Sequence, residues 1–334
     1  MKPLYSRGRD RFKKLLLSIA KPTAHMDMAH AAEPLPGAPP DSPPGKPAWR
    51  CFSYDEIHRA TNGFHGENLV GKGGSSEVYR GTLEDGAAVA VKRLMGAAAC
   101  ERRERDFLAE LGTVGHARHP NVCALLGCCV DRDLYLVFAF SARGSVSAIL
   151  HDGAAPAMGW EARYGIAVGT ARGLEYLHKG CRRRIIHRDI KASNVLLTDD
   201  FQPQISDFGL AKWLPTEWTH RAIAPIEGTF GCLAPEYYTH GIVDEKTDVF
   251  AFGVFLLEVM AGRKPVDGTH RSLLSWVVEL LEGAEIRRDR WAMPPEAEEG
   301  DDAEEPWSFD DLDEGTDDEL DTPSSSSASS TSTT

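Results

Sequence analysis

Apolar residues between Phe52 and Phe140 come in short, β-prone runs. Residues 69–80 and 87–94 read as strands. Val89-Ala90-Val91 is compact, and Glu84-Asp85-Gly86 supplies a hairpin turn. From Glu101 to Val114 the chain is charged, with Phe107, Leu108, Leu111 and Val114 at helical spacing. Leu134–Phe140 has the pattern of a buried strand. After Gly144 the period lengthens, and Trp160–His178 and Thr247–Ala261 have the length and spacing of helices. A strand-rich half followed by a helix-rich half predicts an α+β fold of two lobes with a cleft between them.

Composition changes this picture mainly at the ends. The 334 residues are 42% hydrophobic, enough for a full-sized core, and carry a formal charge of −13. From Pro294 onward there are 15 Asp and Glu and no Lys or Arg, so the remainder stands at +2. A folded part so close to neutral argues against a nucleic-acid partner. The tail ends in Ser and Thr and has too little apolar surface to offset ordering entropy, so disorder is expected there. Residues 1–21 hold seven Lys/Arg and one acid around Phe12 and Leu15–Ile19, a basic amphipathic segment that could dock on an anionic membrane surface. The run Leu15–Ala20 is too short to cross a membrane, and no Gly follows Met1, so a soluble chain without myristoylation is expected. Residues 33–47 are proline-rich and read as an extended linker. The seven Cys show no CxxC pair and no His at metal-ligand spacing, so free thiols in a reducing compartment are expected.

Candidate chemistry begins at the glycine-rich stretch Val70-Gly71-Lys72-Gly73-Gly74-Ser75-Ser76-Glu77-Val78. It lacks the Gly-Lys-Ser/Thr of a Walker loop, and Glu77–Gly81 continues as a strand instead of the helix a dinucleotide fold requires. A glycine turn between antiparallel strands lets backbone amides cover phosphates, with Ser76 in place of a third glycine. Lys92 closes the next strand and gains meaning with an acidic partner. Glu110, among Phe107, Leu108 and Leu111, is the first candidate, and Glu104 is the alternative. The most specific stretch is Ile186-His187-Arg188-Asp189-Ile190-Lys191-Ala192-Ser193-Asn194, followed by Ser206-Asp207-Phe208-Gly209. Phosphoryl transfer needs a group that orients and deprotonates a hydroxyl, and Asp189 fits. It also needs hard oxygen ligands for Mg²⁺, which Asn194 and Asp207 supply. Lys191 lies close enough to the base to reach the γ-phosphate of ATP.

These motifs resemble the eukaryotic protein kinases over Phe52 to about Trp276. More narrowly, Phe52–Ile57 with Ala60-Thr61-Asn62-Gly63-Phe64 resembles the entry segment of plant receptor-like cytoplasmic Ser/Thr kinases. Trp213-Leu214-Pro215 through Trp218-Thr219-His220, then Glu227-Gly228-Thr229-Phe230-Gly231, is similar to the activation segment of their Rho-type GTPase-interacting subgroup. The resemblance implies the bilobal kinase fold, protein substrates and signalling in plants. It makes Phe138 the gatekeeper, gives Ala139 and Phe140 hinge backbone groups for adenine, and lays Ala90 over the ring. It assigns Arg188 the anchoring of the base through an activation-segment phosphate, for which Thr216, Thr219 and Thr229 are the available hydroxyls, Thr229 rather shaping the substrate loop. Lys191 with Gly228-Thr229 before Ala234-Pro235-Glu236 points to Ser/Thr specificity, Cys232 replaces the family's Tyr, and Asp248 anchors the catalytic loop.

One departure carries its own expectation. Only 47 residues separate Glu236 from Gly283, about half the family's interval, and no Arg in it lies in the Arg-Pro motif that pairs with the matching Glu. Leu273–Val277 resembles the start of one helix and Val278–Gly283 the end of the domain's last. An internal deletion is therefore expected, leaving Glu236 half-buried without its partner and Val249–Met260 partly uncovered. The expected domains are a disordered basic and proline-rich region (1–50), an N-lobe (51–140), an incomplete C-lobe (141–293) and a disordered acidic tail (294–334). Two readings follow: a cytoplasmic Ser/Thr kinase, peripheral at the plasma membrane through residues 1–21, and a catalytically weak or silent nucleotide- or GTPase-binding isoform.

Overall fold

The structure, a computed structural model, describes residues 49–285 apart from 75, 96–99, 153–157, 182 and 216. The basic arm, the acidic tail and Thr216 lie outside the described residues.

Among the described residues, strand pairing is first seen at Arg50. Strand β1 (Arg50–Cys51) is followed by helix α1 (Tyr54–Ala60), and Ser53 closes a capping box there. Glu56 N–H donates to Ser53 Oγ at 3.2 Å, and Ser53 N–H donates back to Glu56 Oε2 at 2.7 Å. The span 69–80, expected as one strand, folds back on itself as β2 (Leu69–Lys72) and the start of β3 (Ser76–Thr82), because the glycine turn interrupts it. Strand β4 (Ala88–Leu94) follows a turn closed by Leu83 N–H to Ala87 O at 2.9 Å, where Gly86 takes φ +86°. Helix α2 (Cys100–Val114) then leads to β5 (Leu125–Cys129) and β6 (Tyr135–Ala139). The six strands form one sheet in the order β1-β5-β6-β4-β3-β2, antiparallel except for the β1–β5 pair.

Helix α2 lies on this sheet because Phe107, Leu111 and Val114 share one face, and all three are buried. Their cluster includes Trp49, Leu125, Leu136 and Phe138 and continues into Leu174, Leu177, Ile185, Ile205 and Phe208 of the second lobe. One apolar core thus spans the two lobes beside the cleft.

The second lobe is mostly helical. It contains α3 (Val146–His151), α4 (Trp160–Glu175), β7 (Arg184–Ile186), β8 (Val195–Leu197), β9 (Pro203–Ile205), β10 (Lys212–Leu214), β11 (Arg221–Ala222), α5 (Pro235–His240), β12 (Ile242–Val243), α6 (Glu245–Ala261) and α7 (Leu273–Glu285). Its strands form three two-stranded ribbons, β7–β10, β8–β9 and β11–β12. The helix expected over Trp160–His178 ends its α-form at Glu175 and widens into a π turn over Tyr176–Gly180. That turn holds His178 Nε2 2.8 Å from Asp248 Oδ2 on α6.

Helix α6 is capped by Asp244, whose carboxylate accepts from the N–H groups of Lys246 and Thr247, and stops at Gly262 with φ +66°. It is apolar around its circumference, yet Val249 and Met260 are exposed. The two stretches that resemble ends of different helices, Leu273–Val277 and Val278–Gly283, form the single helix α7 without a break. No Pro interrupts them, and Leu, Val, Trp and Glu sustain the helix. Leu274, Val278, Leu280 and Leu281 of α7 are exposed.

Candidate active site

Strand β4 places Lys92 opposite Val78 of β3 and Leu136 of β6. Its ammonium donates to both carboxylate oxygens of Glu110 on α2, at 2.8 and 3.0 Å, and to Asp207 Oδ1 at 2.8 Å. Glu110, and not Glu104, is therefore the partner. Burial disfavours the charge on Lys92, but Glu110 and Asp207 outweigh it and hold the ammonium above its ordinary range. Burial raises the Glu110 carboxyl even beside Lys92. Partial desolvation works against the charge on Asp207 as well, yet the Lys92 ammonium pulls its carboxyl below the usual value.

Above this triad the β2–β3 turn presents Gly73 and Gly74, with Gly73 N–H closing the turn on Ser76 O at 2.8 Å. Gly71 packs on Val78, Val70 is exposed, and Lys72 pairs with Glu77 at 3.2 Å. On the opposite strand pair Ala90 lies in register with Phe138, which is buried. The N–H groups of Ala139 and Phe140 are already bonded, to Ala124 O at 3.0 Å and Ala88 O at 3.3 Å. Those two amides are committed to the protein's own backbone, which no side-chain pattern reveals.

Strand β7 delivers the loop His187–Asn194. Arg188 sits at φ +70°, a conformation that costs energy for any residue but glycine. Asp248, fully buried on α6, holds it there: Oδ2 accepts from His187 N–H and Oδ1 from Arg188 N–H, each at 2.7 Å. His187 reaches Ser206 O at 2.9 Å and stands edge-on to Phe208. The Asp189 carboxylate is held on both oxygens. Oδ1 accepts from Thr229 Oγ at 2.7 Å, and Oδ2 from Asn194 Nδ2 at 2.9 Å and Lys191 Nζ at 2.8 Å. Lys191 Nζ also donates to Thr229 Oγ at 2.6 Å.

Thr229 is thus gathered into the site, whereas Thr219 is exposed and bonded only to neighbouring His220 among the bonds described. Arg188 donates to Leu210 O at 2.9 Å and to the Tyr237 hydroxyl, and lies 4.0 Å from Glu227. Tyr237 is buried, and its hydroxyl also meets the N–H and the C=O of Glu227, each at 2.9 Å. No motif in the sequence marks this knot. Pro235 opens α5, and Tyr237 is the buried residue of that helix. Burial lowers Lys212, with Arg188 adding to the effect, so the cations cluster beside this knot. Cys232 is buried, which pushes its thiol up to about 12. Glu236 is half-buried and has no ion-pair partner among the described residues.

A divalent cation finds a suitable donor set here. Asn194 uses its amide N–H groups on Asp189, which leaves Oδ1 as its remaining acceptor, and Asp207 presents a half-exposed carboxylate. Both are hard oxygens of the kind Mg²⁺ takes alongside substrate phosphates.

Comparison with known proteins covers the same stretch. Residues 64–292 match the family described as protein tyrosine and serine/threonine kinase. A probable receptor-like serine/threonine-protein kinase of Arabidopsis thaliana is 55% identical over 242 residues, 72% of this chain and 42% of the relative. Two receptor-like cytosolic serine/threonine-protein kinases of the same plant are 52% and 54% identical over 236 and 239 residues, 71% of this chain and 51% of each relative. The chain spans about half the length of these relatives.

Proposed function

The chain belongs to the protein tyrosine and serine/threonine kinase family, and from that premise we propose that it transfers the γ-phosphate of ATP to a Ser or Thr hydroxyl of a protein. The observation that carries this reading is Asp189, held on both carboxylate oxygens in one cleft with Lys92, Asp207 and Asn194. In this reading the Lys92–Glu110 pair positions the α- and β-phosphates beneath the glycine turn of Gly71, Gly73 and Gly74. Val70, Val78 and Ala90 flank the adenine, and Phe138 closes the back of its pocket. Asp189 accepts the proton of the incoming hydroxyl, and Lys191 neutralises charge on the γ-phosphate. Thr229 ties the base to the loop that seats the substrate. Asp207 and Asn194 would hold Mg²⁺, which offsets charge between the β- and γ-phosphates. A radiolabelled ATP assay tests this. Wild type should label a protein substrate on Ser or Thr, and Asp189→Asn and Lys92→Met should not; equal signal from all three rejects transfer by this cleft.

The finer placement rests on the activation segment and on the relatives described as cytosolic. We assign the chain to the Rho-type GTPase-interacting subgroup in the cytoplasm, with residues 1–21 as a peripheral contact to anionic membrane. Retention on a GTP-loaded plant Rho-type GTPase, and co-sedimentation with phosphatidylserine vesicles that is lost on removing residues 1–21, would support it. No helix among the described residues is long and apolar enough to cross a membrane.

A second reading is favoured by one observation. Glu236 is half-buried without an ion-pair partner among the described residues, and exposed apolar side chains on α6 and α7 lie in the shortened interval that follows it. A deletion there would give an isoform that binds nucleotide or a GTPase but transfers phosphate weakly. Labelling by wild type that matches an uninterrupted relative would reject this reading.

A further inference from the structure

Strand β1 is two residues long, yet it is seated by specific features on both sides. Phe52 N–H donates to Cys128 O at 2.8 Å, and Arg50 and Cys51 pair in parallel register with Gly127 and Cys128 of β5. Residue 127 has to be glycine for this: a Cβ there would lie 2.0 Å from Arg50 O and 2.6 Å from the Phe52 ring. Just before β1, Trp49 is buried in the cluster that contains Phe107, Leu111 and Val114 of α2. A Cβ on Gly115, at the end of α2, would meet its indole nitrogen at 3.1 Å. Residues 49–52 therefore clasp the back of the sheet and the helix that carries Glu110.

Cys51 and Cys128 are the register partners at the centre of the clasp, and their thiols are hydrogen-bonded. Paired parallel strands bring Cα atoms within the range a disulfide spans. Cys51 is half-buried and open to small solutes, whereas Cys128 is fully buried. Cys129 belongs to the cluster of Phe52, Val89 and Tyr135, apart from the cluster that holds Cys128.

We propose that Cys51 and Cys128 are an oxidation site, which hydrogen peroxide converts to a disulfide that fastens β1 to β5. The Cys51 thiolate attacks one peroxide oxygen, giving a sulfenic acid and hydroxide. The Cys128 sulfur then attacks the Cys51 sulfur, its proton leaves with the sulfenic oxygen, and water departs. Two thiols lose two electrons, and one peroxide becomes two waters. The hydrogen bond to Cys51, and burial, push Cys128 upward, and Cys51 is the more exposed sulfur, so peroxide meets Cys51 first. The site is independent of the phosphoryl-transfer reading.

The test uses the full reduced chain, titrated with hydrogen peroxide, alkylated and digested. A Cys51–Cys128 peptide pair lighter by two hydrogens is expected in wild type and in Cys129→Ser, and absent from Cys51→Ser. Wild type should also melt roughly 5 °C higher after oxidation, and Cys51→Ser should not. Cys51 oxidised or linked elsewhere while Cys128 remains a free thiol would overturn the proposal, as would the linked pair with an unchanged melting temperature.

Discussion

Around Asp189 polar groups are matched to one another, whereas at the base of the same lobe apolar groups are left facing water. In the first region Asp248, Asn194, Lys191 and Thr229 account for both oxygens of Asp189 and for the backbone of His187 and Arg188. In the second, Val249, Met260, Val278 and Leu281 are exposed, and Glu236 has no ion-pair partner among the described residues. The catalytic loop is therefore fixed by polar contacts and by the two-lobe core, which do not depend on how fully the base is covered. A buried carboxylate that accepts two backbone N–H groups is costly to remove, because each orphaned donor costs about 1–3 kcal/mol. An exposed leucine removed from α7 costs little.

Asp248→Ala should give the largest effect. It leaves His187 and Arg188 N–H and His178 without their shared acceptor, so kcat should fall by about 100-fold or more, with a lowered melting temperature. Steady-state kinetics with calorimetry checks both. Phe107→Ala in the spanning core should cost about 3–5 kcal/mol, while Leu281→Ala on α7 should stay within about 0.5 kcal/mol. Urea titrations that give equal costs would break the comparison. Tyr237→Phe removes one hydroxyl from the Arg188–Glu227 knot and should lower kcat by roughly 10-fold with KM for ATP unchanged. A change in KM alone would mean that the knot does not position the base.

The smallest expected effect concerns Glu258, which lies 2.8 Å from His151. Burial raises its carboxyl above the ordinary 4.5. Folding therefore favours the protonated form, and this contribution is full below pH 4.5 and lost as pH rises through the raised value. Glu258→Gln should flatten the decline in melting temperature over that window.

Much of the site was legible because its chemistry lies in contiguous motifs. Lys92, Asp189, Asn194 and Asp207 are drawn into one cleft, and Phe107, Leu111 and Val114 share the buried face their spacing predicts. What was hidden depends on contacts between distant residues. Strand β1 has no alternation to read, since Gly127 and the Trp49 pocket place it. The Tyr237 knot joins Arg188 to Glu227 and Tyr237, and the π turn carries the contact of His178 with Asp248, both between residues distant in sequence. The engaged amides of Ala139 and Phe140 belong to the backbone, and the unbroken helix α7 joins stretches that resemble parts of two.

Hydrogen–deuterium exchange across the lobe tests the central claim most directly. Peptides covering Ile186–Asn194 and Pro203–Phe208 should be protected at least about 100-fold more than peptides covering Leu273–Leu281. Equal exchange in the two regions, or a catalytic loop that exchanges as fast as α7, would contradict it.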